Sequence, residues 1–513
     1  MFKNLFIVNQ DSLNIKQRWS ALVVLSISLF VIVMDMTILI MALPNMVNEL
    51  KATAVEQLWI VDVYSLALAG LIVTMSYIGD IWGRKKILLL GFLLFGIASF
   101  LILFITNPIQ VIGIRTILGI AGAMIMPTTL SMIRTIFTNP KERAIALSVW
   151  AGITGFGSIL GPIIGGLLLE KFTWHSTFLI NVPISILSVI VGLFILPEYK
   201  SKKNFKFDYL SAIISMFSMV AIVWSIKSFT TKGIHDEYTW IIFTFGLFLI
   251  SVFIQRNLKS KNPLLDLELF KNKSFTAGIL TALIAIFSMS AVLLLITQWL
   301  QLIEGLTPLK AGIYLLPMAI GEILSTIISP WIAKKIGARL AIVGGLLISS
   351  VGFIYLYFLP TDFSYLTILP TLILVGLGIG SLAVASALIM STTSIDKAGS
   401  AAAIEETVYD LGSVLGIAIL GSISTIIYRN HLNIHSNFSE ELNKRDLNYA
   451  HESITNTIET ANKYGLSNLN DYAKIAFNYS LENTSLIAGI SIFIISIIIF
   501  TLIPKNIDIT KEN

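Results

Sequence analysis

Seven acidic residues lie inside stretches of sequence that are otherwise apolar enough to cross a lipid bilayer. A carboxylate near the bilayer centre costs roughly 2.5–3.5 kcal/mol on insertion scales, so a membrane helix keeps one only opposite a polar cavity or a partner. The pattern therefore predicts a transport pathway for cations, protons or both. The seven residues are Asp35, Asp62, Asp80, Glu322, Glu405, Glu406 and Asp410.

Three of these acids fall close together in one predicted helix. Glu406 and Asp410 are four residues apart and share a helix face, while Glu405 points about 100° away. Carboxylates this close in a low-dielectric region cannot all be ionised at once. Such a group holds either a proton or a cation, and that competition is what an exchanger requires.

Arg115 is the only arginine deep inside a predicted span. A guanidinium stays charged when it is buried, so it must pair with a carboxylate or with backbone carbonyls. Snorkelling to the interface is the alternative, and the depth of Arg115 in the span disfavours it. We therefore expect Arg115 to take part in proton coupling.

The elements that must position these residues are membrane helices. The 513 residues are 55% hydrophobic and 13% charged, which excludes a soluble globular protein. Apolar runs of about 20 residues match the hydrocarbon core of a bilayer. The fold class is therefore all-α and integral to a membrane. We count fourteen spans, at 19–43, 56–78, 87–106, 108–132, 145–169, 177–196, 209–229, 238–255, 275–302, 311–333, 340–359, 364–390, 398–427 and 484–503.

Basic residues set the predicted orientation. Most of the 35 lysines and arginines fall in the two tails and in alternate short loops, which the positive-inside rule assigns to the cytoplasm together with both termini. The net charge of +5 therefore does not indicate nucleic-acid binding. We expect a monomer whose partners are the bilayer, its substrates and protons.

Enzymatic chemistry and metal sites are not expected. The chain has no cysteine, and its five histidines fall on the predicted outer side without metal-ligand spacing. It shows no nucleophile–base set and no phosphate-binding loop. A membrane-embedded enzyme or receptor is therefore disfavoured, and we expect no cofactor beyond the proton motive force.

Loop lengths divide the chain into five segments. The two longest inner loops, 198–208 and 256–273, bracket spans seven and eight, which indicates a helix pair inserted between two six-helix bundles. We read the outer segment 428–483 as a helical hairpin; a flexible loop is the alternative. The predicted segments are the N-terminal bundle 1–200, the inserted pair 201–273, helices nine to thirteen 274–427, the outer segment 428–483, and the last span with its tail 484–513.

Expectations for the hairpin are specific. Ser439 is a good N-cap for its first helix, and Gly465 is typical of a helix stop. A second short helix is predicted over residues 471–479.

Two motifs predict conformational roles. After span two, Gly83 permits a tight turn, and Asp80 can contact either a loop arginine such as Arg84 or the positive end of a neighbouring helix. We interpret this as a latch, made in one conformation and broken in another; a positive loop with a stray acid is equally compatible. In span five, glycines four apart allow close helix packing and a proline bends the helix. These residues are Gly157, Gly161, Pro162, Gly165 and Gly166.

Together these motifs resemble the major facilitator superfamily, and in particular its fourteen-span drug:proton antiporters. The resemblance to the antiseptic exporters of that family covers essentially the whole chain. It departs at Ser76, where a glycine is usual, at Ile40, where asparagine is usual, and at Glu322, where aspartate is usual. The motifs that carry it include Met34–Pro44, Trp59–Ser65, Met126–Arg134, Trp174–Pro183 and Ala403–Gly412.

The resemblance implies roles for individual residues. Acids at Asp35, Asp62, Glu405, Glu406 and Asp410 would serve proton coupling or substrate binding, and Trp59 would lie near the substrate route. Aromatic faces and carboxylates bind lipophilic cations. The predicted coupling residues are Asp35, Arg115, Glu405 and Glu406, and the predicted substrate contacts are Asp35, Trp59, Asp62, Tyr64, Glu322, Glu406, Tyr409 and Asp410.

The implied function is proton-coupled export, by alternating access, of lipophilic mono- and divalent cations such as quaternary ammonium antiseptics, cationic dyes and biguanides. The implied location is the bacterial plasma membrane. A neutral or zwitterionic drug, or an envelope lipid, is the alternative substrate for the same fold.

Overall fold

The computed structural model describes residues 14–52, 54–200, 208–232, 236–260, 263–359, 364–432, 442–443, 446–447, 450–451, 454–505 and 507. At some helical positions, among them Asp62 and Pro162, only the backbone is described. The described residues are largely helical and contain no β-strand.

The first half of the chain forms α1 (Ile15–Leu50), α2 (Ala54–Trp82), α3 (Arg84–Leu101), α4 (Pro108–Ile136), α5 (Pro140–Lys171), α6 (Ser176–Leu179), α7 (Asn181–Ile195), α8 (Tyr209–Lys232) and α9 (Glu237–Lys259). The second half forms α10 (Lys273–Gln298), α11 (Pro308–Tyr314), α12 (Leu316–Ile336), α13 (Ala338–Tyr357), α14 (Tyr365–Ser391), α15 (Ala398–His431), α16 (Ile454–Tyr464) and α17 (Ser467–Leu502).

Thirteen segments of the described chain are long and apolar enough to cross a membrane. Each corresponds to one of the predicted spans. The fifth predicted span falls on α5, a helix of 32 residues that is not among the thirteen. A multi-pass membrane protein is therefore established, and fourteen crossings stay a prediction.

The helices pack in two groups. In the first, α1 packs on α5, α2 on α4, and α3 on α4 and α7. In the second, α10 packs on α15, and α14 on α12 and α13. We call these groups the N-terminal half (α1–α7) and the C-terminal half (α10–α15 with α17). They meet where α5 contacts α12 and α14, and where α2 and α4 contact α15.

Two glycines of positive φ precede α3 and α13. Gly83 has φ +120° and Gly337 has φ +88°, a region that side chains beyond glycine rarely adopt. Both lie at the same end of their helical hairpins. We call the face that carries them the inner face, after the orientation that the charge distribution predicts.

Two boundaries differ from the sequence predictions. The tenth predicted span is broken at Leu315 between α11 and α12. The last predicted span begins at 484, whereas α17 already begins at Ser467. The predicted second hairpin helix, 471–479, is thus the start of α17, because no glycine or proline interrupts that stretch.

The outer hairpin stays a prediction, and the last part of its predicted first helix is present as α16, which begins at Ile454. It ends just before Gly465, whose φ of +68° makes it the predicted helix stop. The helix packs on α17. Ser439, the predicted N-cap, lies outside the described residues.

Candidate functional site

Asp35 of α1 and Arg115 of α4 form a buried ion pair. An oxygen of Asp35 lies 2.6 Å from a guanidinium nitrogen of Arg115, and the two residues are 1% and 2% exposed. Arg115 also donates to the backbone oxygen of Ile60 at 3.3 Å. The expectation that a buried arginine pairs with a carboxylate or a carbonyl is confirmed on both counts.

Two further side chains complete this pair. Asn181 of α7 donates its amide to the second oxygen of Asp35 at 2.8 Å. The ring of Tyr64 lies 4.5 Å from the guanidinium carbon of Arg115, in the geometry of a cation–π contact. All four side chains are buried. We call Asp35, Tyr64, Arg115 and Asn181 the Asp35 cluster.

The Asp35 cluster alters the interpretation of two predicted substrate contacts. Tyr64 is 1% exposed and packs on Arg115, so in this conformation it is not an open aromatic surface. Asp35 is enclosed by its two donors in the same way. Asn181 has no role in the sequence analysis, although an amide within an apolar span is a signal that could have identified it.

Glu405 of α15 accepts a hydrogen bond from the hydroxyl of Tyr409, one turn further along the helix, at 2.6 Å. Glu405 is fully buried and Tyr409 is half-buried. Tyr409 therefore orients the carboxylate of Glu405 on its own helix. The sequence predicts Tyr409 only as a substrate contact, so this interaction is an additional one.

Glu406 has a different environment from its neighbour. It is 1% exposed, and neither of its carboxylate oxygens has a hydrogen-bond partner among the described residues. The charges of Glu405 and Asp410 act on it electrostatically. Asp410 is half-buried and also lies within electrostatic range of Tyr64. Of these acids of the C-terminal half, Asp410 is thus the one related to the Asp35 cluster of the N-terminal half.

Glu322 of α12 is buried at 4% exposure, and its side-chain carboxylate has no hydrogen bond or ion pair among the described residues, although its backbone oxygen accepts one from Ser325. It lies one turn before Thr326, whose methyl carbon faces Gly152 of α5 at 3.7 Å from an ideal β-carbon. Glu322 therefore lies on the side of α12 that meets the other half.

The remaining predicted contacts are on α2. Trp59 is 41% exposed near the start of that helix, so its ring is accessible. The side chain of Asp62 lies outside the described part of the structure.

The contacts predicted for Asp80 are present in this structure, and its role as a latch stays a prediction. Asp80 lies 2.9 Å from Nε of Arg84, and its carboxylate also abuts Gly399 at the N-terminal end of α15. The two alternatives in the sequence analysis, a loop arginine and the positive end of a helix, are both present. Ser76 adds a hydrogen bond of 2.7 Å to the backbone oxygen of Gly399.

Further contacts join the two halves at the same face. Arg134 of α4 donates to the backbone oxygen of Thr393 at 2.9 and 3.2 Å. The hydroxyl of Tyr199 donates to Asp396 at 3.1 Å. Burial raises the pKa of Tyr199 to about 12, so the phenol keeps its proton at physiological pH. Bonds from α2, α4 and the segment after α7 therefore join the N-terminal half to the first turn of α15 and the loop before it.

The glycines of α5 pack against the helix that carries Asp35. An ideal β-carbon at Gly157 would lie 2.9 Å from Val33, and one at Gly165 would lie 3.2 Å from Ile38. At Gly161 it would overlap the hydroxyl of Thr37. Pro162 is described only in its backbone, and the helix continues through it. The close packing predicted for this motif thus fixes α1 against α5.

In the part of the chain that the structure describes, no group of three His, Cys, Asp or Glu side chains could hold a metal ion.

The sequence matches the family model "Major Facilitator Superfamily" over residues 25–417. It is 35% identical to the "Multidrug efflux pump LfrA" of Mycolicibacterium smegmatis, over 92% of this chain and 94% of that protein. It is 36% identical to the "Methyl viologen resistance protein SmvA" of Salmonella typhimurium, over 79% of this chain and 82% of that one.

The fold is similar to that of the human organic anion transporter MFSD10, with a TM-score of 0.61 and 11% identity over 93% of this chain and 99% of that one. At that identity the likeness concerns the fold alone. The family match and the two bacterial relatives agree with it. The chain belongs to the Major Facilitator Superfamily and is a multi-pass membrane transporter related to multidrug efflux pumps.

Proposed function

We propose that this protein exports lipophilic cations from the cytoplasm of a bacterium in exchange for protons, by alternating access. The observation that carries the proposal is the contrast among its buried acids. Asp35 has a full set of donors, whereas Glu406 and Glu322 are buried without any among the described residues.

Proton exchange follows from the cost of an uncompensated charge. An ionised carboxylate removed from water costs several kcal/mol unless it is paired. Glu406 therefore suits either a proton or a cationic substrate, and binding of one displaces the other. The Asp35–Arg115 pair is the second proton-sensitive element of the proposed exchange, because protonation of Asp35 would remove the counter-ion of Arg115.

One residue, Tyr64, is related to both the Asp35–Arg115 pair and Asp410 of α15. Tyr64 packs on Arg115 and lies within electrostatic range of both Asp35 and Asp410. Protonation of Asp35 would change the pairing of Arg115, the side chain on which Tyr64 packs. We infer that Tyr64, though not an open substrate contact, links the cation site of one half to the proton site of the other.

Cationic substrates suit the acids at the contact between halves. Glu322 lies on the face of α12 that meets α5, and Glu406 and Asp410 lie on α15. Two separated carboxylates give each charge of a dication its own counter-ion. Methyl viologen, which the name of one relative includes, is such a dication.

Everted membrane vesicles test this function directly. With an acidic lumen, they should accumulate ethidium faster than vesicles without a pH gradient, and ethidium addition should release protons from the lumen. An imposed membrane potential should add to the rate if more than one proton exchanges per monovalent cation, since each charge gains about 2.3 kcal/mol per 100 mV.

Vesicles that carry Glu406→Gln are the matched control, because the amide keeps the shape and loses the titratable group. Accumulation that ignores the pH gradient would contradict proton coupling. Accumulation of a neutral dye but not of ethidium would favour the alternative, an exporter of neutral drugs or lipids.

A further inference from the structure

Glycine contacts identify which helices of this protein are interlocked. Where a glycine lets a neighbouring helix approach below ordinary contact distance, the two helices cannot slide without a clash. Within the N-terminal half, an ideal β-carbon at Gly157 of α5 would lie 2.9 Å from Val33 of α1. One at Gly91 of α3 would lie 2.8 Å from Ile125 of α4.

The C-terminal half is interlocked in the same way. The corresponding distance is 2.8 Å from Gly352 of α13 to Leu374 of α14, and 2.7 Å from Gly489 of α17 to Ile354 of α13. Between the halves, Gly152 of α5 leaves 3.7 Å to Thr326. The exception is Gly399, whose close neighbour is the Asp80 carboxylate of the latch. Tight interlocks therefore coincide with the two rigid halves.

The inserted helices α8 and α9 can be assigned by the same criterion. Gly70 of α2 would place a β-carbon 2.9 Å from Val220 and 3.3 Å from Met216, both on α8. Gly246 of α9 would place one 3.0 Å from Ile222 of α8. Helix α9 is thus interlocked with α8, and α8 with α2 of the N-terminal half.

The contact between α8 and α15 is of another kind. Branched aliphatic side chains of α15, Leu411 and Val414, pack against Ile222 and Ile226 of α8. The glycines of α15 face elsewhere, for an ideal β-carbon at Gly412 would lie 2.9 Å from a backbone oxygen of α10. Among the described residues, no glycine brings α8 and α15 closer than ordinary side-chain contact, so this contact lacks the close approach that joins α8 to α2.

We propose that α8 and α9 belong to the N-terminal rigid body, and that α15 slides along α8 as the halves rock. Helices α8 and α9 then separate the α2–α15 contact, beside Asp410, from the lipid in every conformation. This inference rests on the alternating access of the proposed function. It states with which half the inserted helices move. Their position in the sequence, between two bundles, does not determine this.

Spin labels can test this directly, because the chain contains no native cysteine. Val61 of α2, Tyr238 of α9 and Ile426 of α15 are exposed, and each can be replaced by cysteine. Double electron–electron resonance on purified protein would compare the label pairs Val61→Cys/Tyr238→Cys and Tyr238→Cys/Ile426→Cys. The comparison is made at acidic and alkaline pH, with and without ethidium.

We expect one distance for the α2–α9 pair under every condition. The α9–α15 pair should shift by about 5 Å, the scale of one helical turn. A shift in both pairs would make the inserted helices an independent body, and a shift in the first alone would attach them to the C-terminal half. An absence of shift in both would exclude sliding. Each of these three outcomes overturns the proposal.

A functional arm uses cross-links in the same cysteine-free chain. A disulfide between Gly70→Cys and Val220→Cys should leave ethidium transport within about twofold of the reduced protein, because it joins elements of one rigid body. A short bismaleimide link between Ile226→Cys and Val414→Cys should abolish transport. Ethidium transport by the unlinked variants tests the proposed function separately. An equal effect of the two links on transport would contradict the assignment of α8 to the N-terminal half.

Discussion

Asp35 and Arg115 are 80 positions apart in the chain, yet their side chains meet at 2.6 Å in a buried ion pair between α1 and α4. Removal of one partner from such a pair leaves an uncompensated charge, which typically costs about 3–5 kcal/mol. The pair is thus a structural contact, and protonation of Asp35 would leave Arg115 without its counter-ion.

Asp35→Asn should abolish transport, with ethidium accumulation at the level of vesicles without the protein. The asparagine cannot hold an exchangeable proton and leaves Arg115 charged and unpaired. Its thermal unfolding temperature should also fall. Accumulation at the normal rate would exclude a role for Asp35.

The double variant Asp35→Asn/Arg115→Gln separates the two effects. Both buried charges are gone, so the unfolding temperature should recover most of the loss seen in the single variant. Transport should stay at background. If the double variant transports ethidium, the pair is only structural.

Glu322→Ala should weaken export of divalent cations much more than of monovalent ones. Glu406 and Asp410 of α15 remain as counter-ions for a monovalent cation, whereas a divalent cation loses the counter-ion of its second charge. The loss of one charged contact should lower export of the divalent cation about tenfold or more. Initial rates for chlorhexidine and ethidium in one vesicle preparation provide the comparison. Equal losses for both would move Glu322 into the proton-coupling group.

Ser76→Ala should favour opening of the inner face. The hydroxyl bonds the backbone oxygen of Gly399 across the two halves, and a neutral hydrogen bond of this kind contributes about 1 kcal/mol. A cysteine at the buried position Thr393 should therefore react about fivefold faster with an impermeant maleimide in everted vesicles. Exposed Ser394→Cys serves as the control, and an unchanged rate at 393 would argue against a latch.

Gly161→Ala should destabilise the protein by about 1–3 kcal/mol, since the new methyl group would overlap Thr37 of α1. Gly113→Ala in α4 is the matched control, because its β-carbon would have no neighbour within 4 Å. Thermal unfolding in detergent measures both. Similar unfolding temperatures for the two variants would show that α1 and α5 are not closely packed at this point.

Local signals in the sequence account for much of the fold. Hydropathy alone predicted thirteen segments that the structure confirms as helices able to cross a membrane, because the cost of burying polar groups in lipid is local to each segment. Glycine at 83 and at 465 correctly marked a turn and a helix stop. The start of α17 was predicted too late, because its polar first turns look like a loop although they continue the helix.

The sequence by itself determined which acidic residues lie within apolar segments, since hydropathy depends only on the residues of each segment. Only the tertiary structure decided which of them are paired. Asp35 meets Arg115 and Asn181 from helices 80 and 146 positions away, Tyr64 is drawn under Arg115, and Glu406 is left without a donor among the described residues. Those contacts depend on how distant helices pack, and close packing is a property of the assembled bundle that no local pattern contains.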